Sequence, residues 1–201
     1  MARRVYFAFH YRDVAGFRAN VVRNSWATQK DREEAGFFDA SLWERTKREG
    51  DLTIKRLINA GLEYTSVTAV LIGRETFSRR WVRYEIAKSF ERGNGLLGIY
   101  IHNIPDKYGD LDSAGPNPFD YLYFDIDWRQ GGIWLLECTT NGWRQYEDVP
   151  SVSISSIRYD FLKATQFGQF SEVFKVYDWV LDDGYNNLGT WVEMAAQQAG
   201  R

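Results

Sequence analysis

The sequence predicts a doubly wound α/β protein, with a mainly parallel sheet, helices on both faces, and a C-terminal hairpin and helical extension. Three observations carry this. The runs Val67-Thr68-Ala69-Val70-Leu71-Ile72 and Leu96-Leu97-Gly98-Ile99-Tyr100-Ile101 are apolar at nearly every position, as strands covered on both faces are. Segments with apolar residues at helical spacing separate the runs. Strand and helix patterns alternate through the first 104 residues, which is the order that builds a parallel sheet.

Taken in order, Val5-Tyr6-Phe7-Ala8-Phe9 reads as a buried strand. Asp13 is placed to cap a helix carrying Val14, Phe17, Val21 and Val22 on one face. Ser25-Trp26-Ala27-Thr28 reads as a short second strand, and the charged stretch 29–50, with Phe37 to Trp43 inside it, as a loop. Asp51 can cap a helix with Ile54, Leu57, Ile58 and Leu62 facing inward, and Gly61 fits its C-terminal stop. A helix over 78–92 links the two apolar runs. Residues 105–132 hold Pro105, Pro116 and Pro118 with many Asp and Gly, which predicts a long surface loop. Ile133–Cys138 and Trp143–Tyr146 flank Thr139-Thr140-Asn141-Gly142, and Asn-Gly between apolar runs signals a hairpin. Residues 170–181 and 188–198 look helical. The expected organisation is a core over 1–104 and an extension over 105–201, packed together as one domain.

Composition narrows the function classes. The chain has 201 residues, 44% apolar and 16% aromatic, with eight Trp, enough for one sizeable core. A formal charge of −2 argues against nucleic acid as a main partner, since phosphate contacts need an excess of Lys and Arg. The basic clusters Arg79, Arg80, Arg83 and Lys47, Arg48 have carboxylates nearby and read as solvated helix faces. The single cysteine, Cys138, can form neither an internal disulfide nor a metal cluster alone. It suits a reducing compartment and reads as a buried thiol. No apolar stretch approaches the ~20 residues that span a bilayer, and the basic start has no cleavage site behind it. The expectation is a cytoplasmic protein without a membrane partner.

One motif is a decoy. Gly93-Asn94-Gly95-Leu96-Leu97-Gly98 matches GxGxxG, but it follows a helix and enters a strand. A dinucleotide fingerprint needs the reverse order, so that the pyrophosphate meets a helix N-terminus. A phospho-receiver would need an aspartate after the strand 67–72, which runs instead into Gly73-Arg74-Glu75. His10 and His102 are the only histidines, and Asp110, Asp112, Asp120, Asp125 and Asp127 lack ion-loop spacing, so no metal site is expected.

Glu85 is the candidate for chemistry. At 100° per residue it lies about 60° from Val82, on the shoulder of a seam made by Val82, Ile86, Ser89 and Phe90, one turn after Trp81. Its helix follows the C-terminal end of a strand, the edge at which open α/β sheets bind ligands. The helix alone supports two readings. One is a half-buried functional carboxylate; the other is a surface residue paired with Arg79, Arg83 or Lys88. Phe9-His10-Tyr11-Arg12 opens onto the same edge, either to stack on a base and grip a diphosphate or as core followed by a charged turn.

These segments together resemble a TIR domain. The first strand with its aromatic and basic end, the loop around Phe38–Trp43, and Ser78-x-x-Trp81-x-x-x-Glu85 fall in TIR order. The strings RVYFAFHYRD, FDASLWE, KRLINAGL, VLIG, RRWVRYEIAKS, DKYGD, GPNPFDYL and VYDWVLDDGYN look like the TIR-like protein of the Thoeris antiphage system, over nearly the whole chain. The resemblance implies an enzyme that cleaves NAD, with no separate cofactor, and makes a cyclic ADP-ribose-type messenger that activates a partner effector. It implies that Glu85 is the catalytic glutamate, that Phe9, His10, Tyr11 and Trp81 line the pocket, and that Asp39, Ser41 and Trp43 belong to the neighbouring loop. It also implies assembly through TIR contacts between copies. One departure is Phe7-Ala8-Phe9 where many TIR domains have Ser before the aromatic. Two other readings stay open, a non-enzymatic scaffold working through TIR–TIR assembly and a nucleotide sensor.

Overall fold

In the computed structural model, residues 3–28, 32–35 and 50–201 are described. The apolar runs form β1 (Arg3–Ala8), β3 (Val67–Ile72) and β4 (Gly95–Tyr100), which pair in parallel, β1 with β3 and β3 with β4. Two further strands extend this sheet at its edges, β2 (Arg32–Ala35) beside β1 and β10 (Val176–Asp178) beside β4, both parallel. The order is β10-β4-β3-β1-β2.

Side chains alternate across this sheet because successive residues of a strand point to opposite faces. Val5, Phe7, Val67, Ala69, Leu71, Leu97 and Ile99 pack on one face with α2 (Arg18–Ala27) and α6 (Gly184–Gln198). Tyr6, Ala8, Val70, Ile72 and Leu96 pack on the other with α3 (Asp51–Gly61) and α4 (Arg80–Glu91). The protein is therefore an α/β doubly wound fold, with helices on both faces of a parallel sheet.

A second, antiparallel sheet closes over α4. Its strands are β5 (Leu122–Asp127), β6 (Gly132–Thr139), β7 (Gly142–Gln145), β8 (Ser151–Ser153) and β9 (Phe167–Gln169). The order is β7-β6-β5-β9, with β8 also paired to β6. The expected hairpin is β6–β7, with Cys138 opposite Trp143. Phe90 on α4 stacks on Tyr159 at 5.1 Å and meets Phe170 at 5.0 Å and Phe124 at 6.4 Å. Helix α4 thus lies between two sheets. α5 (Phe170–Val173) is a single turn held by a capping box between Gln169 and Glu172.

Several expectations need correction. Asp13 does not begin the first helix: α1 (Tyr11–Ala15) starts two residues earlier. Phe17, at φ 65°, breaks the chain into α1 and α2. Phe17 and Val21 are exposed, and the buried face of α2 carries Ala19, Val22 and Trp26 instead. Ser25–Ala27 is helical rather than a strand, because Val22 and Trp26 lie four residues apart on that buried face. The second strand is Arg32–Ala35, inside the stretch read as loop. An edge strand pairs through its backbone on one side and leaves no apolar signature. The reading of 105–132 as loop missed β5, whose burial alternates strictly: Leu122, Phe124 and Ile126 lie inward. The long helix over 170–181 is instead α5 followed by β10, since pairing to the open side of β4 satisfies that backbone better than further helix. Cys138 is half-buried, not buried.

The decoy glycines behave as read. Gly93, at φ 66°, ends α4, and Gly95 opens β4. A Cβ at Gly95 would collide with the Ala195 carbonyl of α6, so the glycine is there for close packing.

Candidate active site

The chain leaves β1 toward β2 on one side and returns across it to β3 on the other. The C-terminal ends of β1 and β3 therefore form the switch point at which doubly wound sheets open a crevice. His10 and Tyr11 follow β1 there, and Gly73-Arg74-Glu75 follows β3. Helix α4 starts at this edge and runs back over the sheet, which puts Trp81 in its first turn and Glu85 one turn deeper.

Glu85 is buried rather than half-buried: it is 6% exposed and faces the central sheet, with Tyr6 across from it. Its Oε1 accepts a hydrogen bond from the Tyr6 phenol at 2.6 Å, and Tyr6 is fully buried at the centre of β1. Among the described residues the carboxylate takes its side-chain hydrogen bond at Oε1 and none at Oε2. Burial pushes the carboxyl up to about 8, and the Tyr6 hydrogen bond works against that rise. Burial and the facing carboxylate in turn push the Tyr6 phenol well above its ordinary value.

The cations on α4 and at its N-cap are engaged elsewhere. Arg79 pairs with Glu75, Lys88 with Glu91, and Arg83 with Glu137 of β6 at 2.6 Å. The reading of Glu85 as one half of a surface ion pair with any of the three is therefore set aside.

The helix is pinned to the sheet by hydroxyls. Ser89 donates to the Glu85 carbonyl at 2.6 Å and lies 2.7 Å from Thr68 of β3. Ser89 has one proton and spends it on the carbonyl, so Thr68 is the donor in the second contact.

Trp81 is half-buried, edge-on to Tyr84 at 6.1 Å, with the Arg80 guanidinium 4.7 Å from its ring centre. His10 is buried and meets Tyr11 edge-on at 4.6 Å; Tyr11 itself is exposed. Phe9 packs against the core on the α2 and α6 face, with the Arg23 guanidinium 5.6 Å from its ring. The structure thus joins Trp81 and Glu85 on the α3 and α4 face, keeps His10 and Tyr11 at the switch-point edge, and seats Phe9 on the opposite face. Asp39, Ser41 and Trp43 lie outside the described residues.

Two residues escaped the sequence reading. Tyr6 sits in an apolar run and looks like core; the available signal was that a buried phenol takes a hydrogen-bond partner. Asp13 is 7% exposed, its Oδ2 has no partner, and burial together with the charge of Asp112 pushes it up to about 7. Its carboxylate packs against Gly73 so closely that a Cβ there would overlap it.

A family model described as "Thoeris protein ThsB, TIR-like domain" matches residues 6–106, which run from within β1 through β4 and include both Trp81 and Glu85. A protein of Bacillus cereus (strain MSX-D12) is 52% identical over 96% of this chain and all of its own length. The chain belongs to the Thoeris ThsB family of TIR-like proteins. That relative carries the provisional name cyclic ADP-D-ribose synthase ThsB1. Among the described residues no helix is long and apolar enough to cross a membrane.

Within a ThsB-type fold the chemistry open to this arrangement is electrostatic. A carboxylate in a dry site, with one oxygen held and one free, can stabilise a positive charge that develops beside it.

Proposed function

We propose that this protein is an enzyme that breaks the nicotinamide–ribose bond of NAD and closes the ADP-ribose part into a cyclic messenger. In this reading NAD is a substrate, no separate cofactor takes part, and the messenger reaches a partner effector in antiphage defence. The observation that carries it is the Glu85 carboxylate, buried one turn below the switch-point edge with Oε2 unpartnered among the described residues. The name of the 52% identical relative supports the same chemistry.

The electron pair of the glycosidic bond leaves with nicotinamide, which departs neutral because it is cationic in NAD. No general acid is needed. Positive charge then builds on the ribose, and ionised Glu85 stabilises it. An internal nucleophile of the same ADP-ribose attacks the anomeric carbon; where that nucleophile is a hydroxyl, Glu85 takes its proton. Closing the ring before water arrives asks for a folded substrate behind apolar walls. Trp81, His10 and Tyr11 are assigned to those walls; Phe9 packs on the opposite face of the sheet and is left out of them, and Asp39, Ser41 and Trp43 are carried as further candidate substrate contacts.

Because Glu85 works ionised, turnover by the free protein should rise with pH toward about 8. A bound pyridinium draws the ionisation downward by its own charge. The deciding experiment is mass spectrometry of the nucleotides made from NAD, with and without phage infection, by wild type and Glu85→Gln. Loss of one preorganised group costs on the order of 10²–10³ in rate, so the variant should make almost no cyclic product. Equal product from both chains overturns the assignment.

A further inference from the structure

We propose that Tyr6 is a positioning residue for Glu85, its phenol fixing Oε1 so that Oε2 is the oxygen presented to the reacting ribose. The inference rests on the reading of Glu85 as the catalytic carboxylate and adds how that carboxylate is aimed.

Geometry carries it. Tyr6 is paired on both sides within the sheet, opposite Thr68 of β3 and Ala35 of β2, so its backbone cannot shift along the strand. Thr68, its direct neighbour on β3, bonds Ser89, and Ser89 bonds the Glu85 carbonyl. Tyr6 then bonds the Glu85 side chain. Four residues close a ring of contacts running from strand to strand, up to the helix and back down. The ring fixes both the backbone and one oxygen of Glu85, which leaves rotation of the carboxylate as the motion that Tyr6 removes.

The electrostatics agree. On α4 and at its N-cap, Arg79, Arg83 and Lys88 pair with Glu75, Glu137 and Glu91, and Arg80 pairs with Asp51 and Asp148. Lys55 of α3 pairs with Asp148. The group that acts on the Glu85 carboxyl against burial is the Tyr6 phenol, from β1. A hydrogen bond donated to a carboxylate favours its ionised form. Tyr6 therefore aims the carboxylate and keeps its ionised form within reach near neutral pH.

The test is Tyr6→Phe in the full chain, read by the ¹³C titration of Glu85 and by the pH profile of NAD turnover. The Glu85 signal is assigned by its loss in Glu85→Gln. The Glu85 midpoint and the acid limb of kcat should both move to higher pH, by about one unit. One unit is tenfold in ionised carboxylate, so kcat at pH 7 should fall about tenfold while KM changes less than about twofold. A purely structural role would lower the melting temperature and leave the titration in place. If Tyr6→Phe does not fold, 3-fluorotyrosine installed at position 6, a stronger donor, should move both midpoints to lower pH. An unmoved Glu85 midpoint in either folded variant overturns the proposal. If Glu85→Gln retains full product formation, the catalytic reading fails, and the titration still reports separately on the Tyr6–Glu85 contact.

Discussion

Arg83 donates to Oε2 of Glu137 at 2.6 Å and so ties α4 to the second sheet two residues before Glu85. Glu137 is 6% exposed, and Arg144 of β7 also donates to its Oε1, at 2.9 and 2.7 Å. A buried carboxylate held by two guanidiniums is a joint between layers. The sheet that covers the Glu85 helix is attached through it.

That joint has unequal halves. Glu137→Ala strands the Arg83 charge against the core and should cost about 2 kcal/mol, less than a fully buried pair because Arg83 keeps some exposure. Arg144→Ala touches a side chain that is mostly in water and should cost no more than about 0.5 kcal/mol. Urea unfolding of the two variants measures both. Equal costs would mean that Arg144, not Arg83, carries the joint.

Stability should fall as pH rises through neutrality, the reverse of the usual carboxylate behaviour. Glu85 titrates near 8 in the fold against an ordinary 4.5, and Asp13 near 7 against 3.8. Across those windows the folded protein binds protons that the unfolded chain has lost. The stabilising contribution is complete below the unfolded values and is lost as pH climbs through the folded ones. Calorimetric melts from pH 5 to 8.5 should show a declining melting temperature, flattened in Glu85→Gln and again in Asp13→Asn. A flat wild-type profile would show that both groups reach water.

Gly73 and Asp13 should couple strongly. A Cβ at Gly73 overlaps the Asp13 carboxylate, so Gly73→Ala should cost about 1–3 kcal/mol as an overpacked site. Asp13→Ala removes the obstructing group, and the double variant should recover part of that loss. A double-mutant cycle by denaturant unfolding measures the coupling, and simple additivity would place the two residues out of contact.

Legibility followed the source of each signal. β1, β3 and β4 were readable because strands buried on both faces must be apolar throughout. β5 carried its own alternation, Leu122, Phe124 and Ile126, but Pro and Asp around it hid the pattern. β10 had no comparable local mark: three residues become a strand because β4 offers an open edge. Tyr6 was invisible as a site residue because a phenol in an apolar run looks the same with or without a carboxylate across from it.

The sequence by itself determined the parallel core, the helix that carries Trp81 and Glu85, and the TIR resemblance. Those depend on periodicity and on motifs, which are local. Only the tertiary structure decided that Glu85 is buried, which oxygen is held, and by what. The helix pattern placed Glu85 on a shoulder, and a shoulder faces water unless another layer covers it. Here Tyr6 of β1, 79 positions earlier, faces the carboxylate, and Phe124 and Phe170, 34 and 80 positions beyond Phe90, pack on the same helix. Burial and carboxylate environment are sums over neighbours from the whole chain, and no window of local sequence contains them.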